Sequence, residues 1–131
     1  MAVPRAVEEK GVAFSSKHAP TGISFEECSE PRALVMKIEG SLDSDNSNDF
    51  RALASIALRE SRASGGLVIE LSSVNYMSST GVGAFANILA EAKGHDIPLF
   101  LRGMTERTKA VFDLLGFTSF FTFIDRNGRA L

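Results

Sequence analysis

Apolar positions along this chain follow two rhythms, one of short strand-like runs and one of helical spacing. Ile23 to Cys28 alternates apolar and polar as a half-buried strand does, and Ala33 to Ile38 reads as its partner across a turn at Glu30-Pro31-Arg32. Gly40-Ser41-Leu42-Asp43-Ser44-Asp45-Asn46 then breaks the pattern with small and acidic residues. Phe50, Leu53, Ala54, Ala57 and Leu58 fall on one helical face that runs to about Ser61. Asn46 or Ser47 is the expected N-cap, and Asp49 in the first turn complements the helix dipole. Ser64-Gly65-Gly66 ends the helix, and Leu67-Val68-Ile69-Glu70-Leu71 is a short strand of the buried, parallel sort.

A second helix is expected from Val82 to Ala92, with Val82, Phe85, Leu89 and Ala92 on one face, Ile88 widening it, and Gly94 just past the end. Pro98 opens a strand at Leu99-Phe100-Leu101. Thr105 caps a third helix with Thr108, Val111, Phe112 and Leu115 inward, and Gly116 stops it. Phe120 to Ile124 is the last expected strand. Strands that alternate with helices require a mainly parallel sheet, because each crossover returns the chain over a face; the fold class is α/β.

Residues 1–22 stand apart, with Pro4, Gly11, Pro20 and Gly22 as breakers and Val12-Ala13-Phe14 as the one apolar patch. They read as an N-terminal extension, irregular or packed as an edge strand, before a single domain at 23–131. At 131 residues and 44% hydrophobic the chain has enough apolar material for one core. A net charge of −2 gives no basic face for nucleic acid or anionic lipid, so neither direct nucleic-acid binding nor a membrane is expected. The single cysteine, Cys28, fits a reducing compartment, and neither a membrane span nor a secretion signal is visible. The expectation is a soluble cytoplasmic protein.

The chemistry concentrates in Asn75-Tyr76-Met77-Ser78-Ser79-Thr80-Gly81-Val82-Gly83, where a strand delivers three consecutive hydroxyls to a helix start. The first turn of a helix has unpaired N–H groups and tolerates an oxyanion. A phosphate there is locally comfortable, yet adds about −1.5 to −2 charges to the surface. Plain helix capping is the alternative for the same residues. Catalysis has less support. His18 and His95 lack partners at metal-ligand spacing, Ser79 lacks the first glycine of a G-x-S-x-G elbow, and Gly81-x-Gly83 is too short for a dinucleotide or P-loop motif. Gly83 is expected to let its helix approach the sheet. Asp43, in a loop on the same sheet edge as Ser79, either helps to position a nucleotide-bound kinase or is an ordinary turn aspartate.

Three segments together carry a family resemblance. Gly40-Ser41-Leu42-Asp43 is similar to the "G-x-L-D" loop of STAS domains, the fold of bacterial anti-sigma factor antagonists. Leu67 to Gly83 resembles their strand followed by "D-S-[ST]-G-[LIV]-G", and Glu106 to Phe117 their last helix with its closing "G-[LF]". The resemblance spans residues 23–127. It implies a mixed, mainly parallel sheet of four to five strands with three or four helices largely on one side. It places the switch serine at Ser79, with Thr80 as second hydroxyl, and the family's loop aspartate at Asp43. The partner-binding face it implies joins Asp43, Ser44 and Asn46 to Ser78, Thr80 and Gly81. Unphosphorylated members bind a kinase, the anti-sigma factor; phosphorylation blocks binding, and a metal-dependent serine phosphatase resets the switch. ATP and metal belong to those partners, so no cofactor is expected here. One position departs from the motif: Ser78 replaces its aspartate.

Three functions remain on these grounds. The first is a non-enzymatic, phosphorylation-controlled antagonist. The second is a STAS scaffold or ligand-sensing module that is not phosphorylated, which Ser78 favours. The third is a small hydrolase using Ser79, for which His95 should fall at the opposite edge of the sheet.

Overall fold

The computed structural model describes residues 3–131, so the first two residues of the expected extension lie outside it. In chain order the elements are α1 (Arg5–His18), β1 (Gly22–Ser29), β2 (Arg32–Leu42), α2 (Ser47–Glu60), β3 (Leu67–Met77), α3 (Ser79–Gly94), β4 (Leu99–Arg102), α4 (Glu106–Leu114) and β5 (Phe123–Ile124). The five strands lie in sequence order, β1-β2-β3-β4-β5. The β1–β2 hairpin is antiparallel and the other pairs are parallel, so the sheet is mixed and mainly parallel, as expected.

Alternation along the strands makes two apolar layers. Leu34, Met36 and Ile38 of β2 and Leu67, Ile69 and Leu71 of β3 enter the main core. Val35 and Val68 face the other way, in a smaller cluster with Ala33 and Ile124. In the main core Phe50, Phe85, Phe112 and Phe121 form a chain of rings with centroids 5.0, 5.7 and 5.5 Å apart. That chain links α2, α3, α4 and the segment before β5 in tilted and edge-on contacts, the favoured aromatic geometries.

Arg5–His18 of the extension is a helix, neither irregular nor an edge strand. Pro4 sits at its N-cap and Pro20 beyond its end, so the prolines flank α1 and do not break it. Val7, Gly11 and Phe14 form its buried stripe. Gly11 lets α1 press on β1, where a Cβ would stand 3.0 Å from the Ile23 carbonyl oxygen. Ser15 Oγ accepts from the Ile23 N–H at 3.0 Å and lies 3.2 Å from the Ile23 oxygen, covering part of β1's outer edge.

Other boundaries move for local reasons. β2 runs on to Leu42 through register shifts at Lys37/Glu39 and Gly40/Ser41, with Gly40 at φ +99° against Thr21. β3 continues to Met77. α3 starts at Ser79 and includes Gly94, while Asp96 takes the left-handed conformation (φ 54°) that Gly94 was expected to supply. α4 ends before Leu115, which is 40% exposed and not part of the buried face. The last strand shrinks to Phe123–Ile124 because Thr118–Phe120 is a 3-10 turn. Among the described residues no helix is long and apolar enough to cross a membrane.

Candidate functional site

Two loops leave the sheet side by side. Leu42 and Met77 pair as the last residues of parallel neighbours β2 and β3, and the Ser78 N–H donates to the Leu42 oxygen at 2.9 Å. Asp43 and Ser78, one residue further on, therefore start adjacent loops on the carboxyl rim of the sheet, where sites in parallel sheets assemble.

The first loop is held by its own side chains. The Asp43 N–H donates to Asn46 Oδ1 at 3.0 Å, and Asn46 Nδ2 donates to the Ser41 oxygen at 2.9 Å. Asn46 is 4% exposed and occupies the N-cap position of α2 without a capping side-chain bond; its amide serves the loop. The Ser47 N–H and hydroxyl both donate to the Asp43 carbonyl. Asp43 Oδ1 accepts from the Asp45 N–H at 2.9 Å, the turn-aspartate geometry. Ser44 lies exposed at the tip. The turn reading of Asp43 is thus met, and its place beside the hydroxyl loop is met as well.

In the second loop the three hydroxyls separate. Ser78 is the N-cap of α3, and its Oγ accepts from the Gly81 N–H at 3.2 Å. Aspartate caps equally well, so Ser78 retains the capping part of the motif's aspartate and drops its charge. Ser79 and Thr80 are exposed, and neither hydroxyl has a hydrogen-bond partner among the described residues. Gly81 is buried, and a Cβ there would lie 2.9 Å from Met77 Cγ and 3.1 Å from the Leu42 oxygen. The close approach of α3 to the sheet is therefore made at Gly81 and not, as expected, at Gly83, where a Cβ would meet nothing within 4 Å.

The histidines stand apart from these hydroxyls in their bonding. His95 caps the far end of the sixteen-residue α3, roughly 24 Å along the helix from Ser79. His18 Nε2 is 2.7 Å from Asp49 Oδ2, and its ring lies tilted against that of Phe14 with centroids 4.6 Å apart. The His18 and Lys17 hydrogen bonds hold the Asp49 carboxyl below its usual range. This ties α1 to the first turn of α2. Among the described residues no group of three His, Cys, Asp or Glu side chains is placed to hold a metal ion.

The other face of the sheet carries an ion pair that the sequence reading missed. Arg102 Nε donates to Glu70 Oε1 at 2.5 Å, and both side chains are 13% exposed. Burial works to raise the Glu70 carboxyl, but the Arg102 and Ser72 bonds outweigh it and hold the group low. The exposed sides of α2 and α3 were expected on the binding face, but not the individual residues Asn48, Arg51 and Asn87, which with Ser47, Thr80, Gly83 and Ala84 line a cleft of about 260 Å³ between the two helices. The one sequence signal for that cleft is the pair of small residues at Gly83-Ala84.

The chain belongs to the STAS domain family, whose family model matches residues 27–130. An anti-sigma-B factor antagonist of Staphylococcus epidermidis is 38% identical over 48 residues, which cover 37% of this chain and 44% of that relative. The chain thus spans less than half the length of the curated relative it matches. Among solved structures, the anti-sigma factor antagonist SpoIIAA in its unphosphorylated form is 20% identical, covers 79% of this chain and 87% of its own, and superposes with a TM-score of 0.63. An anti-sigma factor antagonist from Mycobacterium paratuberculosis is 18% identical over 79% and 84% of the two chains, at a TM-score of 0.66. The phosphorylated form of the Bacillus cell fate determinant SpoIIAA is 20% identical over 79% and 90%, at 0.58. At these identities the likeness to the solved structures is one of fold.

Proposed function

We propose that this STAS-domain chain is an anti-sigma factor antagonist, a non-enzymatic partner-switching regulator. It binds an anti-sigma factor serine kinase while Ser79 is unphosphorylated and releases it once Ser79 carries a phosphate. The observation that carries this reading is the free, exposed hydroxyl of Ser79 at the start of α3, beside the rigid loop that holds Asp43. The relatives named as antagonists supply the partner class. In this reading Asp43, Ser44 and Asn46 form one side of the docking face and Ser78, Thr80 and Gly81 the other. ATP and the metal ion belong to the kinase and to the phosphatase that resets the switch.

The mechanism is electrostatic. Phosphorylation moves the γ-phosphoryl group of ATP to Ser79 Oγ, releasing ADP and the hydroxyl proton. The product carries about −1.5 to −2 charges on a rim that already holds Asp43 and Asp45. Like-charge contact in a desolvated interface costs several kcal/mol, and each 1.4 kcal/mol is about tenfold in affinity. One phosphate is therefore enough to shift partner binding by orders of magnitude.

Ser78 favours a second reading, a scaffold that docks partners without being phosphorylated, because the motif's carboxylate is missing beside the acceptor. Binding titrations of Ser79→Ala and Ser79→Asp with the cognate kinase test the first reading. Ser79→Ala should bind like the unmodified chain and Ser79→Asp at least tenfold more weakly. Equal binding of both variants would remove the switch and leave the scaffold.

A further inference from the structure

The cleft between α2 and α3 separates the two free hydroxyls, because Thr80 lines it and Ser79 does not. We propose that this cleft is an internal receptor for a phosphoryl group on Thr80, with Arg51 as the cation and Asn48 as an amide donor. The proposal deepens the function above, since it rests on the hydroxyl rim being a substrate of a serine/threonine kinase. The covalent step transfers the γ-phosphoryl group of ATP to Thr80 Oγ1, with loss of ADP and of the hydroxyl proton.

Thr80, Gly83, Ala84 and Asn87 are spaced i, i+3, i+4 and i+7, one face of α3. Ser47, Asn48 and Arg51 supply the opposing wall from α2. The floor is small by sequence: at Gly83 a Cβ would meet nothing within 4 Å, so the residue leaves open space beside Thr80. The polar groups around that space are uncommitted. Asn48, Arg51 and Asn87 have no side-chain hydrogen bond or ion pair with another described residue. Ser47 is already bonded to the Asp43 carbonyl and takes no part.

No carboxylate lines the cleft. Asp49, the acid nearest to it in sequence, is bound to Lys17 and His18 of α1. A guanidinium with a carboxamide and no competing acid is a donor set for a phosphate, which offers acceptor oxygens only. Ser79 is not among the residues that line this cleft. The two adjacent hydroxyls then have different outcomes: on Ser79 the charge stands on the docking rim, and on Thr80 it is neutralised between the helices.

The test places phosphothreonine at 80 or phosphoserine at 79 in the full chain by codon reassignment, so that no kinase is required. Phosphorus NMR then follows the second phosphate ionisation, ordinarily near pH 6. Phosphothreonine at 80 should titrate about one unit lower than phosphoserine at 79, and Arg51→Gln should abolish that difference. Arg51 is exposed, so the variant should fold, with circular dichroism as the check. Equal titration of the two phosphates, or a shift that survives Arg51→Gln, overturns the receptor while leaving the Ser79 switch untouched. Saturable binding of inorganic phosphate to the unmodified chain, without a shift at phosphothreonine 80, reassigns the cleft to a free ligand and also overturns it.

Discussion

Alanine at Gly81 and alanine at Gly83 should move stability in opposite directions, although the two glycines are two residues apart in one helix. At Gly81 the new Cβ stands 2.9 Å from Met77 Cγ, 3.1 Å from the Leu42 oxygen and 3.2 Å from Leu42 Cβ. Neither neighbour has room to retreat, since Leu42 is 0% and Met77 2% exposed. The Leu42 oxygen also holds the Ser78 N–H, so moving it stretches the bond that aligns the two loops. Overpacking of this kind costs about 1–3 kcal/mol, against about 0.5–1 kcal/mol that alanine gains over glycine in a helix. The expected net loss is about 1–2 kcal/mol. At Gly83 the Cβ meets nothing, and only the helix gain of about 0.5–1 kcal/mol remains. The two variants should therefore differ by about 2 kcal/mol, or roughly 8 °C in Tm at this chain length. Urea and thermal unfolding of both, followed by circular dichroism, reads the difference. If Gly81→Ala proves as stable as Gly83→Ala, the close contact between α3 and the carboxyl rim is wrong.

Three further outcomes are expected. Ser78→Ala should lose about 1 kcal/mol in urea unfolding through the missing cap, whereas Ser78→Asp should retain full stability. Ser15→Ala should cost about 1–3 kcal/mol and expose the Ile23 amide to hydrogen exchange, because the Ile23 N–H loses its acceptor and the hydroxyl no longer donates to the Gly11 oxygen 2.8 Å away. Asp49, Glu70 and Asp113 all have carboxyls held below their usual values, so their contribution is complete above about pH 5 and disappears as pH falls through the lower folded values. Tm should therefore fall progressively as pH drops below about 5. Glu70→Gln should start lower at neutral pH, with Arg102 unpaired, and lose less on acidification.

The elements legible in the sequence were those buried on a broad face. Phe50, Leu53, Ala54, Ala57 and Leu58 are all buried in α2, as the helical spacing required. α1 escaped because its stripe is only Val7, Gly11 and Phe14, with a glycine at the contact that looks like a breaker until β1 is seen against it. The far half of β3 escaped because β4 pairs only with Leu67 to Glu70. Beyond that point Ser72, Ser73, Asn75 and Tyr76 are exposed, so the strand no longer reads as buried. Around the site, the hydroxyls and Asp43 were visible because each sits beside a strand end in the chain. Asn48 and Arg51 share a cleft with Thr80 only through the packing of α2 on α3, which no local pattern encodes. The opposite assignments of Gly81 and Gly83 have the same origin, since only the neighbouring strand distinguishes them.

Ser79 is proposed as the phosphate acceptor that controls partner binding. Its most direct test incubates the chain with ATP, magnesium and each anti-sigma-like kinase of its own genome, then maps modified residues by mass spectrometry. Phosphate on Ser79 is expected from at least one of them, with loss of the complex that the unmodified chain forms with that kinase. A stable complex that persists with no phosphate on Ser79 would contradict it.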